Sequence, residues 1–179
     1  FSLKDAEITF IESGSQSPPV LFSDVTINIA HDASAQSISG SFKRRDQSEE
    51  TYAFALRFTG DLFGPAWDGD LVENLEQVNA ASTLTLAGWR DNRVSGGSLD
   101  ARIWSRWADA KLQHAVMKIA ATDIKLAGVT ESDPHLEKLV ASVSADRQTD
   151  GWSVEVDDLK MGESAQSSDS IIGFRLRER

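Results

Sequence analysis

The sequence predicts a mainly β chain, an antiparallel meander of about nine to ten strands with one short helix. Three observations predict it. Apolar and polar residues alternate with period two along most of the chain, as they do in a strand with one dry and one wet face. Short clusters of Gly, Ser, Pro and Asp punctuate the alternation. The helices of 10 or more residues that would have to separate the strands of a parallel sheet are missing from the pattern.

In chain order, Ala6, Ile8 and Phe10 share one face of a first strand, with Glu7 and Thr9 opposite. A turn cluster at Gly14–Pro19 leads to Val25, Ile27 and Ile29, alternating with Thr26 and Asn28. Ile38, Gly40 and Phe42 mark a third strand, the charged stretch Lys43 to Glu50 a turn, and Tyr52, Phe54, Leu56 and Phe58 a fourth strand. Gly64, Pro65, Asp68 and Gly69 then interrupt the register. From Asp70 to Asn79, Leu71, Val72, Leu75 and Val78 fall at helical spacing with acidic residues early, which predicts the helix there.

Strands resume at Leu84 and Leu86. After a turn at Ser95-Gly96-Gly97, Leu99, Ala101 and Ile103 alternate with Asp100 and Arg102. The segment Leu112 to Leu126 changes phase between Ala121 and Ile124, which calls for a bulge near Thr122-Asp123. Leu139, Ala141, Val143 and Ala145 run through a hairpin turn at Asp146–Gly151 into Trp152, Val154 and Val156, and Phe174 and Leu176 close the pattern. A stretch of 1–69 and one of 80–179 thus rhyme on either side of 70–79, suggesting two sub-units of a repeating architecture.

With 179 residues the chain is one domain or a piece of a longer protein, and its opening at Phe1 suggests a fragment or a processed product. A net charge of −10 argues against a general affinity for nucleic acid or anionic membrane surfaces. The absence of cysteine removes disulfides, thiolate metal sites and thiol nucleophiles together. His31, His114 and His135 show no metal-ligand spacing. Glu49-Glu50 and Asp157-Asp158 are adjacent in sequence, so on a strand each pair faces opposite ways and cannot flank one scissile bond. Neither a phosphate loop nor a G-x-S-x-G elbow occurs. The tryptophans Trp67, Trp89, Trp104, Trp107 and Trp152 could stack on sugars, but Trp104 and Trp107 have opposite parity and packing is the simpler reading. The expectation is a protein that is not an enzyme and needs no cofactor or metal.

One ordered set of segments is more specific. Leu3-Lys4-Asp5-Ala6-Glu7-Ile8 and Leu21-Phe22-Ser23-Asp24-Val25-Thr26-Ile27 are followed by Gly60-Asp61-Leu62 with Trp67-Asp68-Gly69. Then come Gly96-Gly97-Ser98-Leu99-Asp100-Ala101-Arg102-Ile103-Trp104 and Ala121-Thr122-Asp123-Ile124-Lys125-Leu126. From about Leu3 to Met161 this succession resembles the YhdP-like branch of the AsmA-like family. The resemblance implies a segment of a long periplasmic protein of a Gram-negative bacterium, anchored in the inner membrane. It also implies a curved, taco-shaped β-groove that carries phospholipid acyl chains between inner and outer membranes, stacked on adjacent segments of the same chain, with 70–79 as its crossing element. After Gly69 the sequence departs from the family's aromatic strand, reading Asp70-Leu71-Val72-Glu73-Asn74 instead.

The residues expected to line one continuous concave face are Ile8, Phe10, Ile27, Ile29, Phe54, Leu56, Leu86, Ile103, Ile119, Val143 and Val154, each on the apolar parity of its strand. Two further readings share the strand count: a closed β-sandwich that binds carbohydrate or a protein partner, and a structural spacer whose groove is filled by side chains. Ala6, Gly40, Ala101, Ala121, Ala141 and Ala145 favour open space on the apolar face, whereas Phe54, Phe58 and Trp152 favour filling.

Overall fold

The computed structural model describes residues 1–11, 19–45, 47–86, 93–127, 135–162 and 172–177. They form a ten-stranded sheet in simple chain order, with every pairing antiparallel. The strands are β1 (Ser2–Phe10), β2 (Val20–His31), β3 (Gln36–Arg44), β4 (Gln47–Gly60) and β5 (Trp67–Asn79). A single helix α1 (Ala80–Leu86) follows, then β6 (Val94–Ala108), β7 (Lys111–Leu126), β8 (His135–Gln148), β9 (Gly151–Met161) and β10 (Ile172–Arg177). The mainly β, antiparallel, single-helix class read from the sequence is the observed one. Among the described residues strands contact chiefly their chain neighbours, and no second sheet lies across either face.

Besides the turn expected over Lys43 to Glu50, most of which belongs to β3 and β4, three elements differ from the sequence reading. Asp70–Asn79 is strand, not helix, and pairs along its length with β4 and β6, so the sheet is continuous where two sub-units were expected to be joined. Leu71 and Leu75 share one face by simple alternation. Gln77 then adopts the left-handed conformation (φ 54°), the register shifts, and Val78 returns to the same face. A strand with one bulge therefore reproduced the spacing of a helix.

The helix comes one element later, where strand was expected at Leu84 and Leu86. Asn79 caps it, its Oδ1 accepting the Ser82 backbone N–H at 3.0 Å, and the two alanines that open it are strong helix formers. The third difference is Ser95-Gly96-Gly97, which lies inside β6 rather than in a turn. Gly97 (φ 117°) sits against the Asp123 bulge of β7, where an added Cβ would meet Ile124 Cδ1 at 2.7 Å. The bulge anticipated near Thr122-Asp123 is present, with Asp123 left-handed at φ 54°.

Positive φ recurs inside strands at Asp5, Asp24, Gln77, Asp123 and Asp158, so β1, β2, β5, β7 and β9 each carry such a kink. Bulges bend strands and increase their twist, and five strands of the sheet carry one. The hairpin over Asp146–Gly151 is as expected, with Gln148 paired to Gly151 across a two-residue loop. Most of the Gly14–Pro19 turn lies outside the described residues.

Candidate functional site

Cross-strand register sorts the side chains into two faces. One row runs Ile27, Gly40, Phe54, Glu73, Ile103, Met117, Val143 and Val156 from β2 to β9. The row on one side of it holds Ile29, Ile38, Leu56, Leu71, Ser105, Ala115, Ala145 and Val154. On the other side Ala101, Ile119 and Ala141 pair across β6, β7 and β8. Ile8 pairs with Phe22 and Phe10 with Val20, and Phe22 joins this face through an edge-on ring contact with Phe42 at 4.9 Å. Ten of the eleven residues singled out in the sequence therefore share one face. Leu86, the eleventh, lies in α1 instead of a strand, and its side chain is outside what the structure describes.

The opposite face is mixed along its centre and polar along its flanks. Its central row reads Ser39, Ala55, Val72, Trp104, Val116 and Ser144, flanked by Arg57, Asp70, Arg106 and His114 on one side and Asn74, Arg102, Lys118 and Ser142 on the other. Exposed ion pairs decorate it, including Arg57–Asp32 at 3.3 Å and Arg106–Asp70 at 3.2 Å; such pairs contribute little stability. Two clefts, of about 480 and 280 Å³, open on this face, the larger among Asn74, Arg102, Lys118, Ala120 and Val140 and the smaller among Arg57, Asp70 and Arg106. The apolar face differs from both, being a broad surface rather than a closed cavity.

Every fully buried apolar strand residue belongs to the apolar face: Val25, Phe58, Val78, Ala101, Ala121, Ile124 and Ala141. Ala101, Ala121 and Ala141 are only 3–7% exposed. A side chain of one methyl group is shielded so fully when larger neighbours stand beside it, as Ile119 does between Ala101 and Ala141. Helix α1 adds cover at one end, where Ala80 packs on Ala121 and Ile124 with Leu99, Ile119 and Leu139 around them. The small residues thus lie beneath their neighbours and do not themselves form open space. Openness appears at the β1–β2 edge of the face, where Ile8, Phe10 and Ile29 are 40–56% exposed. Phe54, Leu56, Ile103, Ile119, Val143 and Val154 are half-buried.

Two polar features of this face were not found by sequence reasoning. Glu50 is buried where β5 passes into α1. Its Oε1 accepts the Asn79 backbone N–H at 2.6 Å and its Oε2 the Tyr52 hydroxyl at 2.9 Å. Burial, with this carboxylate alongside, pushes the Tyr52 phenol up to about 12. The buried Thr83 hydroxyl also lies near the phenol, but with no hydrogen-bonding geometry to a described partner. Glu73 is the second feature, a half-buried carboxyl between Phe54 and Ile103 that burial raises above its ordinary range. Its even-odd parity with Leu71 and Leu75 was the available signal, hidden by the helical reading.

The other candidates fall into structural roles. His114 Nδ1 lies 2.7 Å from Asp146 Oδ1 and His135 Nε2 3.2 Å from Asp123 Oδ1, both across strands. Trp67 and Trp107 stack at 5.5 Å on the apolar face, whereas Trp104 stands on the polar face beneath the Arg106 guanidinium. Trp152 lies beside the Arg147 guanidinium, and Trp89 is outside the described residues. Among the described residues no group of three or more His, Asp or Glu is placed to hold a metal ion. No helix of the described residues is long and apolar enough to cross a membrane. No family model, curated protein or solved structure matches the chain.

Proposed function

We propose that the chain is a segment of a periplasm-spanning conduit that carries phospholipid between the inner and outer membranes of a Gram-negative bacterium, within a protein anchored in the inner membrane. The observation that carries this reading is one apolar face spanning nine strands, from Ile8 to Val154, with no second sheet over it among the described residues. Such a face is dry only if something covers it. Acyl chains do so at a gain of about 0.8 kcal/mol per methylene removed from water, while headgroups remain in solvent. The order of segments similar to the AsmA-like family supports the same reading. Transport of this kind needs no bond-making residue and no cofactor.

In this account α1 replaces 70–79 as the element over the groove, closing one end of the face. Native mass spectrometry of the purified chain tests the proposal. One or more phospholipids should travel with the protein, and a lipid-free mass under conditions that keep other lipid carriers loaded would leave the spacer reading ahead.

A further inference from the structure

Glu73 interrupts the apolar face at its centre. It is opposed by Phe54 on β4 and Ile103 on β6, and its same-face neighbours along β5 are Leu71 and Leu75. The diagonal positions are Tyr52 and Leu56 on β4 and Ala101 and Ser105 on β6. The Tyr52 hydroxyl is committed to Glu50, and Ser105 accepts the Trp107 indole N–H at 3.0 Å. Arg57, Arg102 and Arg106 stand on the other face, the first paired with Asp32 and the last with Asp70. On the same face the nearest other charges are Glu50 and Arg44, beyond Tyr52 toward one end; α1 carries no charged residue. The carboxyl thus faces no described cation, and burial already disfavours its ionised form.

We infer that Glu73 couples loading of the groove to proton uptake: an acyl chain lying across β4, β5 and β6 covers the carboxyl, which is then held neutral. The inference rests on the lipid-groove reading. A chain in this position strips water from Glu73 without offering it a partner, and an unpaired charge among apolar groups is strongly disfavoured. Taking up one proton is the cheaper course. An amine headgroup could neutralise the carboxylate too, but its phosphate would then meet only apolar neighbours.

The sign follows from linkage. Covering raises the carboxyl's affinity for its proton, so the occupied protein binds more protons than the empty one. Lipid affinity is therefore greatest at low pH and falls as pH rises between the empty and occupied pKa values, approaching tenfold per pH unit for one proton.

The test is equilibrium binding of a phosphatidylcholine with a fluorescent acyl chain, whose headgroup charge stays fixed, to the purified chain across about pH 5 to 8. Affinity of the unaltered protein should fall several-fold over this range. Glu73→Gln should bind throughout with the low-pH affinity of the unaltered protein, and Glu155→Gln, exposed on the polar face, should keep the slope. Calorimetry of the unaltered protein in buffers of different ionisation enthalpy should show net proton uptake on binding, a readout that holds even if the variant folds poorly. Binding without pH dependence or proton uptake, or a slope that survives Glu73→Gln, overturns the coupling alone. Failure to bind at any pH overturns the coupling and the groove together.

Discussion

Asp32 shows how one side chain sets a turn. Its Oδ1 accepts the backbone N–H groups of Ser34 and Ala35 at 2.8 Å and the Ser34 hydroxyl at 2.9 Å, closing the β2–β3 hairpin. These bonds, led by the Ser34 backbone, lower the Asp32 pKa from 3.8 to about 2. The ionised form is favoured by folding, so this contribution is present above about pH 3.8 and is lost as pH falls toward 2. Denaturant titrations at a series of acid pH values should therefore show a steeper loss of stability for the unaltered protein than for Asp32→Asn. Ala110 makes the opposite point. With Asp109 it forms the β6–β7 turn at φ 55° and 51°, a conformation that suits glycine. Ala110→Gly should raise stability by about 1 kcal/mol, read from the denaturation midpoint, because it removes the left-handed penalty of an L-residue.

At the scale of elements, the junction of β5 and α1 rests on two side chains. Removing the cap with Asn79→Ala should cost about 1 kcal/mol. Glu50→Ala should cost more, on the order of 3 kcal/mol, since the Asn79 N–H and the Tyr52 hydroxyl would both lose a buried partner. Thermal unfolding of the two variants side by side gives the order. The same junction marks where the sequence was hardest to read. Period two made nearly every strand legible, because a residue's face on a strand is fixed by parity and apolar parity held from Ile8 to Val156. It failed where a bulge changes the count. At Thr122-Asp123 the phase change fell between clear alternations and could be located. At Gln77 it fell after Glu73, an acidic residue on the apolar parity, and the combination mimicked a helix. The actual helix is seven residues long with no charge at either end, too short to leave a periodic signature. Face membership of the site residues was legible for the same reason as the strands, whereas the buried Glu50 and the placement of α1 depend on contacts that no local pattern encodes.

The whole molecule is an open meander whose two faces differ sharply in chemistry. In a protein that only spaces its neighbours, a charge at the centre of the apolar face would be tolerated wherever the fold survives. In a conduit the same charge should arrest traffic. Val143→Arg, in a protein of normal abundance, should lose most lipid occupancy, since a guanidinium on the acyl path cannot shed its charge as the Glu73 carboxyl does. Abundance and far-UV circular dichroism must be followed together with occupancy, because a misfolded variant would imitate a blocked one.

The most direct measurement places a photo-crosslinking residue at Phe54, Ile103 or Val143 on the apolar face and, for comparison, at Ala55 or Ala120 on the polar face. Each variant is irradiated in envelope-containing cells, and the lipid attached to the purified protein is identified by mass spectrometry. Phospholipid adducts are expected at the three positions of the apolar face and none at the two of the opposite face. Adducts to both faces alike, or to neither, would contradict it.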